Sequence, residues 1–160
     1  MFNKKKKVID HVFHAVQPII ATMQITSGTP SSFWNDDYIL GFIGSIMIFH
    51  LTKTSPIKLK ETDYGEVIMR SFEKLSLQNG LPLARKFVEF FKNVDKAPKR
   101  FNEGAENANL LICIVYGMPL RPDAQAKIDT IRRGIGSVED EQFQSLLMKR
   151  FFNDEVEKLF

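Results

Sequence analysis

A long apolar segment from Tyr38 to Leu51 constrains this chain more than any other feature. Apart from Ser45 and His50, its residues are apolar or aromatic on every side of a helical projection. A helix without a polar face has to be buried all round, and 14 residues are too few to cross a bilayer, which takes about 20. We therefore predict a central, buried helix over about 34–50. A strand over 39–49 is the alternative, because isoleucine and phenylalanine also favour sheets.

Helix start and stop signals recur along the rest of the chain. They comprise two capping-box pairs, prolines at helix starts and glycines at helix ends: Asp63 with Glu66, Ser137 with Asp140, Pro82, Pro122, Gly80 and Gly117. Pro18 predicts a kink or restart near Gln17. With no paired strand signals between them, these residues predict an all-α fold, an irregular bundle of about six to seven helices.

The composition is that of one globular domain. The chain has 160 residues, 44% hydrophobic and 26% charged, with 14 phenylalanines. A chain of this length can bury a sizeable core without disulfides or metals, and phenylalanine fills such a core without needing a polar partner. We therefore expect a single domain over 1–160, with a frayed basic N-terminus at residues 1–7 that carries the lysine run Lys4–Lys7.

The single cysteine, Cys113, excludes an intramolecular disulfide and a cysteine-based zinc site. Its apolar neighbours predict a buried, unreactive thiol.

The lysine run is not followed by the hydrophobic segment of a convincing secretory signal peptide, so we expect a cytoplasmic protein without a transmembrane segment. The pair His11 and His14 could share a metal ion with His50, but no further ligand pattern accompanies them. We predict no bound metal and no cofactor.

The segment around Trp34 is the best candidate for a ligand site. It places the only tryptophan beside two consecutive carboxylates, Asp36 and Asp37. Such a group could act as acid and base or hold a cationic ligand, with His50 as a further lining residue. The alternative is purely structural, because acidic residues in a first turn stabilise a helix through its dipole.

The C-terminal helix carries more apolar surface than one helix stripe. We take it as a candidate homodimer interface, since exposed apolar patches mark contact surfaces and two-fold dimers are the commonest soluble oligomers. The expected interface exceeds about 1,000 Å² in total and contains Phe143, Leu147, Phe151, Phe152, Leu159 and Phe160.

No sequence motif indicates a reaction, and no catalytic residue can be named. Phosphate-binding, nucleophile-elbow and zinc-protease patterns are all absent. We therefore expect a helical protein–protein interaction or regulatory protein that self-associates, with an unknown protein partner. An enzyme or small-molecule-binding domain with a site near Trp34, Asp36 and Asp37 is the alternative. A weak nucleic-acid binder ranks third and is disfavoured, because the net charge is only +3.

Overall fold

The computed structural model describes residues 2–26 and 29–160, and the side chains of residues 3–21 and 29–160. Within these ranges the chain forms eight α-helices and no strand. The helices are α1 (Phe2–Thr26), α2 (Asp37–Phe49), α3 (Tyr64–Ser76), α4 (Gly80–Lys92), α5 (Lys99–Val115), α6 (Pro122–Ile135), α7 (Asp140–Met148) and the single-turn α8 (Asp154–Glu157). Short 3₁₀ turns lie at Phe33–Asn35, Glu61–Asp63 and Val94–Lys96, and π-helical segments extend α2 over His50–Thr54 and α7 over Lys149–Asn153.

Helix α2 is the centre of the bundle, as its sequence predicts. Residues 38–47 are all buried, and the alternative strand over 39–49 is absent because this segment is helical throughout. α2 crosses α5 at very short range, since a Cβ atom on Gly41 would lie 2.2 Å from the Phe101 carbonyl oxygen and one on Gly104 would lie 2.1 Å from that of Tyr38. Glycine is required at both positions because no side-chain atom fits between the two backbones.

Helices α3 and α4 form a helical hairpin that packs against α1 and α2. The sequence predicts that Gly80 ends α3, but the helix ends at Leu77, which adopts a left-handed conformation with φ 56°. Gly80 instead begins α4, where a Cβ atom would lie 2.2 Å from the Met69 carbonyl oxygen. Asn79 caps α4 by accepting a hydrogen bond from the Leu81 amide. The glycine therefore permits the two helices to meet closely rather than ending the first of them.

The C-terminal segment closes one side of the core. The Phe152 ring packs edge-on against Phe33 and stacks on Phe42. Tyr38 donates a hydrogen bond of 2.7 Å to the Phe151 carbonyl and accepts one of 2.9 Å from Asn107. Burial raises the pKa of the Tyr38 hydroxyl to about 12, so that it remains a donor at neutral pH.

The N-terminal helix differs from its prediction in two ways. Residues 2–7 are helical where we expected a frayed segment, and Lys5 contacts Asp63 at 2.8 Å and Glu66 at 2.6 Å. Of the kink or restart predicted at Pro18, the restart does not occur, because the helix runs on to Thr26. The polar stretch over 26–32, which contains Gly28 and Pro30 and is predicted by its sequence to be a loop, lies partly outside the described residues, at positions 27 and 28. No described helix is long and apolar enough to span a membrane.

Candidate functional site

An apolar depression on the described surface lies between α3 and α4. We call it the α3–α4 groove. It has a volume of about 470 Å³, with an apolar lining of Gly65, Met69, Leu81, Ala84 and Val88 and a charged rim of Glu66, Arg85 and Glu89. The spacing of these residues explains the groove, since positions 65 and 69 on α3, and 81, 84, 85 and 88 on α4, each fall on one helix face. About one turn of α3 forms one wall of the groove, and about two turns of α4 form the other.

A second cleft continues the groove past Gly65 and Val88. Its volume is about 440 Å³, and it extends over Tyr64 and Ile48 to Phe91. Two large apolar side chains remain exposed along this path, Leu81 at 36% and Phe91 at 46%. A Cβ atom built on Gly65 meets nothing within 4 Å, so the wall is open at this point. The depression is therefore long enough to accept an extended apolar stripe rather than a compact ligand.

The charges on the groove rim differ in how they are satisfied. Glu66 is paired with Lys5. Arg85 and Glu89, one turn apart on α4, form no side-chain ion pair or hydrogen bond with any residue in the described ranges. These two side chains therefore remain available to a molecule that enters the groove.

The predicted ligand site at Trp34, Asp36 and Asp37 is a structural junction. Trp34 is 7% exposed and packs edge-on against Phe33 and Phe72. Asp36 caps α2 by accepting a hydrogen bond of 3.0 Å from the Ile39 amide, and Asp37 contacts Lys86 at 2.7 Å. None of the three lines any of the five main clefts on the described surface. The arrangement matches the helix-start alternative that the sequence also allows.

His50 lies at the opposite end of α2 from that junction. Thirteen helical residues separate the two, which is about 20 Å along the axis. His50 instead meets His11, and the Thr54 hydroxyl lies between them, 2.8 Å from His11 Nε2 and 2.7 Å from His50 Nδ1. Burial, and then the nearby His11, lowers the pKa of His50. His14, the other histidine of the predicted pair, is exposed on α1.

The described residues contain no group of three or more histidine, cysteine or carboxylate side chains that could hold a metal ion.

Cys113, expected to be buried, is only half-buried. It lines a cleft of about 440 Å³ between α5 and α6, together with Asn102, Asn109 and Arg121. The thiol is therefore closer to the surface than its apolar sequence neighbours suggest.

Most residues of the predicted C-terminal interface are buried within the chain itself. The rings and side chains of Phe143, Leu147, Phe151 and Phe152 are buried against α2, α5 and their neighbours. Leu159 is partly buried, and Phe160 is 65% exposed. Four of the six candidates are therefore core residues of a single copy and offer no surface for dimerisation. The helix continues after Met148 as a π-helical segment, and both phenylalanines of that segment, Phe151 and Phe152, are buried.

The α3–α4 groove is not among the sites predicted from the sequence. On α4, Leu83 and Phe87 are buried in the core. Leu81, Val88 and Phe91 extend the apolar arc beyond what one helix buries against its neighbours. The width of this apolar arc on α4 is the one sequence signal that could have indicated an uncovered apolar surface.

Comparison with known proteins adds no relative, since no protein-family model, curated protein or solved structure matches this chain. Function is therefore inferred from the geometry alone.

Proposed function

We propose that this chain is a helical protein-interaction protein that binds an amphipathic helix in the α3–α4 groove. The observation that carries the proposal is the continuous apolar path between two adjacent helices, bordered by Arg85 and Glu89, whose side chains have no partner in the described part of the chain. An elongated apolar groove with a charged border is the usual receptor for a helix that presents apolar residues at i, i+4 and i+7.

The contrast with the alternative functions supports the same choice. Trp34, Asp36 and Asp37 are each occupied by packing, capping or an ion pair, which favours the groove over these three residues as the binding site. Of the lysine run, Lys5 is engaged by two carboxylates of the 3₁₀ turn and α3, which weakens the case for a nucleic-acid contact there. A single cysteine fits a reducing compartment, and we propose that the protein works in the cytoplasm.

The decisive variant is Gly65→Leu. Because nothing lies within 4 Å of a Cβ atom at this position, the leucine can enter the groove without displacing the fold. The matched control is Gly134→Leu on α6, where a Cβ atom also meets nothing within 4 Å. Both variants replace an open helical glycine, and only one of them fills the groove.

The probe is a set of 16-residue helical peptides with leucines at i, i+4 and i+7 and with acidic, basic or mixed flanking charges. We expect at least one peptide to shift the amide resonances of α3 and α4 in the wild-type chain and in Gly134→Leu, and to bind at least tenfold more weakly to Gly65→Leu. The proposal is wrong if no peptide shifts these resonances, or if Gly65→Leu binds as well as its control.

A further inference from the structure

We propose that the α3–α4 groove is occupied by the same groove of a second copy of this chain, with the two α4 helices antiparallel. This inference rests on the proposed function and names its partner. It replaces the dimer interface expected from the sequence, whose residues at positions 143, 147, 151 and 152 are buried within one copy.

The argument for a second copy comes from the charges of α4. Arg85 and Glu89 both line the groove, carry opposite charges and lack a partner within the described part of the chain. They lie at equal distances on either side of residue 87. A two-fold axis near that position therefore places Arg85 of each copy opposite Glu89 of the other, and both pairs form at once.

Other arrangements match these charges less well. A parallel pairing of two α4 helices would place like charges opposite each other, which disfavours it. A partner helix of uniformly acidic or basic character would be attracted by one of the two residues and repelled by the other. The preferred partner is a helix with alternating charges one turn apart, and α4 itself is such a helix.

The apolar residues fit the same symmetry. Val88 lies beside the axis, where it contacts its own counterpart, and Leu81 and Phe91 lie toward opposite ends of the contact. The open position at Gly65 allows the neighbouring helix to approach closely. Two helical hairpins joined in this way form a four-helix arrangement, a packing that helices of this length commonly adopt.

The size of the contact predicts its strength. Each helix of the hairpin has 13 residues and is about 20 Å long, which limits the interface to the small end of the range for specific complexes. We therefore expect a dimer that dissociates on dilution rather than an obligate one.

The test is charge reversal, measured on the full chain by sedimentation equilibrium from about 5 to 500 μM at low salt. The variants Arg85→Glu and Glu89→Arg should each weaken dimerisation at least tenfold, because each leaves two pairs of like charges. The double variant R85E/E89R should dimerise as the wild type does, because both pairs are restored with reversed sign. Arg150→Glu is the control for the change in net charge, since Arg150 is exposed and lies on the C-terminal π-helical segment.

The possible outcomes separate this inference from the proposed function. A wild-type chain that is monomeric up to 500 μM but still binds a helical peptide in the groove overturns the second copy and keeps the interaction function. A dimer that resists both Arg85→Glu and Gly65→Leu uses another surface and overturns the inference as well. Loss of dimerisation in both single variants without recovery in the double variant also counts against the antiparallel arrangement.

Discussion

At the residue scale, the helical glycines of this fold lie in two opposite kinds of environment. At Gly41 and Gly104 it permits two helix backbones to touch, and a Cβ atom at either position would overlap a carbonyl oxygen. At Gly65 and Gly134 it leaves open space, so an added side chain meets nothing within 4 Å. The same substitution of a helical glycine is therefore expected to change stability in opposite directions at these two kinds of position.

The first prediction compares Gly104→Ala with Gly65→Ala. We expect Gly104→Ala to lower the free energy of unfolding by about 2–3 kcal/mol, because the new methyl group must push α2 and α5 apart. Gly65→Ala should leave stability unchanged or raise it by up to about 1 kcal/mol, because alanine favours the helix over glycine. Urea denaturation followed by circular dichroism measures both. Equal effects of the two variants would contradict the close α2–α5 contact.

His50 gives a second prediction at the residue scale. Its pKa in the folded chain lies below the ordinary value of 6.5, mainly because of burial and then because of His11. The unfolded chain therefore binds the proton more readily, so the contribution of neutral His50 to stability is complete above about pH 6.5 and is lost as the pH falls from there towards the lowered pKa. Denaturant midpoints between pH 5 and pH 8 should fall on acidification.

The variant His50→Gln should flatten that dependence. His14→Gln is the matched control, because it removes an exposed imidazole from the surface of α1. If His50→Gln retains the full pH dependence of the wild type, the histidine contact between α1 and the π-helical segment is not its source.

At the scale of the element, the C-terminal segment acts as a lid on the core of the same copy. Val156 is fully buried, and Glu155 contacts Arg100 of α5 at 3.0 Å. The Arg100 guanidinium also lies over the Tyr38 ring at 5.1 Å. The single turn of α8 is therefore anchored both by an apolar contact and by a charged one.

Truncation after Asn153 tests this anchoring. We expect the free energy of unfolding to fall by about 2–3 kcal/mol, since the burial of a valine and its neighbours is lost, while the dimerisation constant stays that of the full chain. Deletion of Phe160 alone is the control and should have little effect, because this ring is 65% exposed. An unchanged melting temperature after the longer truncation would show that α8 is not held in solution.

At the scale of the whole molecule, the buried side chains of all eight helices belong to one apolar cluster. Cooperative unfolding is expected of a single core of this size. Trp34, the only tryptophan, contacts Phe33 and Phe72 in this cluster and reports on the tertiary packing between the start of α2 and α3.

We therefore predict that thermal unfolding monitored by Trp34 fluorescence coincides with that monitored by helical circular dichroism. Separate transitions would indicate that part of the chain folds independently, and the single domain over 1–160 would then be wrong. The experiment is best performed at a concentration well below that at which dimers form, because association raises the apparent melting temperature.

The architecture could be predicted because its signals are local. The all-round apolar segment at 38–51 identified the central helix, and the start and stop residues located most of the others to within a few positions. The two predicted capping boxes do not form, because the Asp63 side chain makes no capping hydrogen bond and α7 begins after Glu139 rather than Ser137. Tertiary geometry decided the remainder. Gly80 lies against the Met69 carbonyl at the start of α4 and does not end α3, which is followed by a left-handed Leu77. Phe151 and Phe152 are both buried in a π-helical segment that no local sequence signal predicts. The width of the apolar arc on α4 indicated that part of it is uncovered, but the position of the groove was not predictable, because the sequence does not show which part the neighbouring helices leave exposed.

The crossing of α2 and α5 also has a consequence for refolding. Gly41 meets Phe101 across about 60 residues of chain, and the whole α3–α4 hairpin lies within the loop that this contact closes. Local contacts form faster than distant ones, so the hairpin assembles while the crossing is still open. At that stage both of its faces are bare, the inner one with Phe72 and Phe87 and the outer one with Leu81 and Val88. Refolding from denaturant should therefore lose yield to aggregation as the protein concentration rises, and most steeply in the variants that delay the crossing.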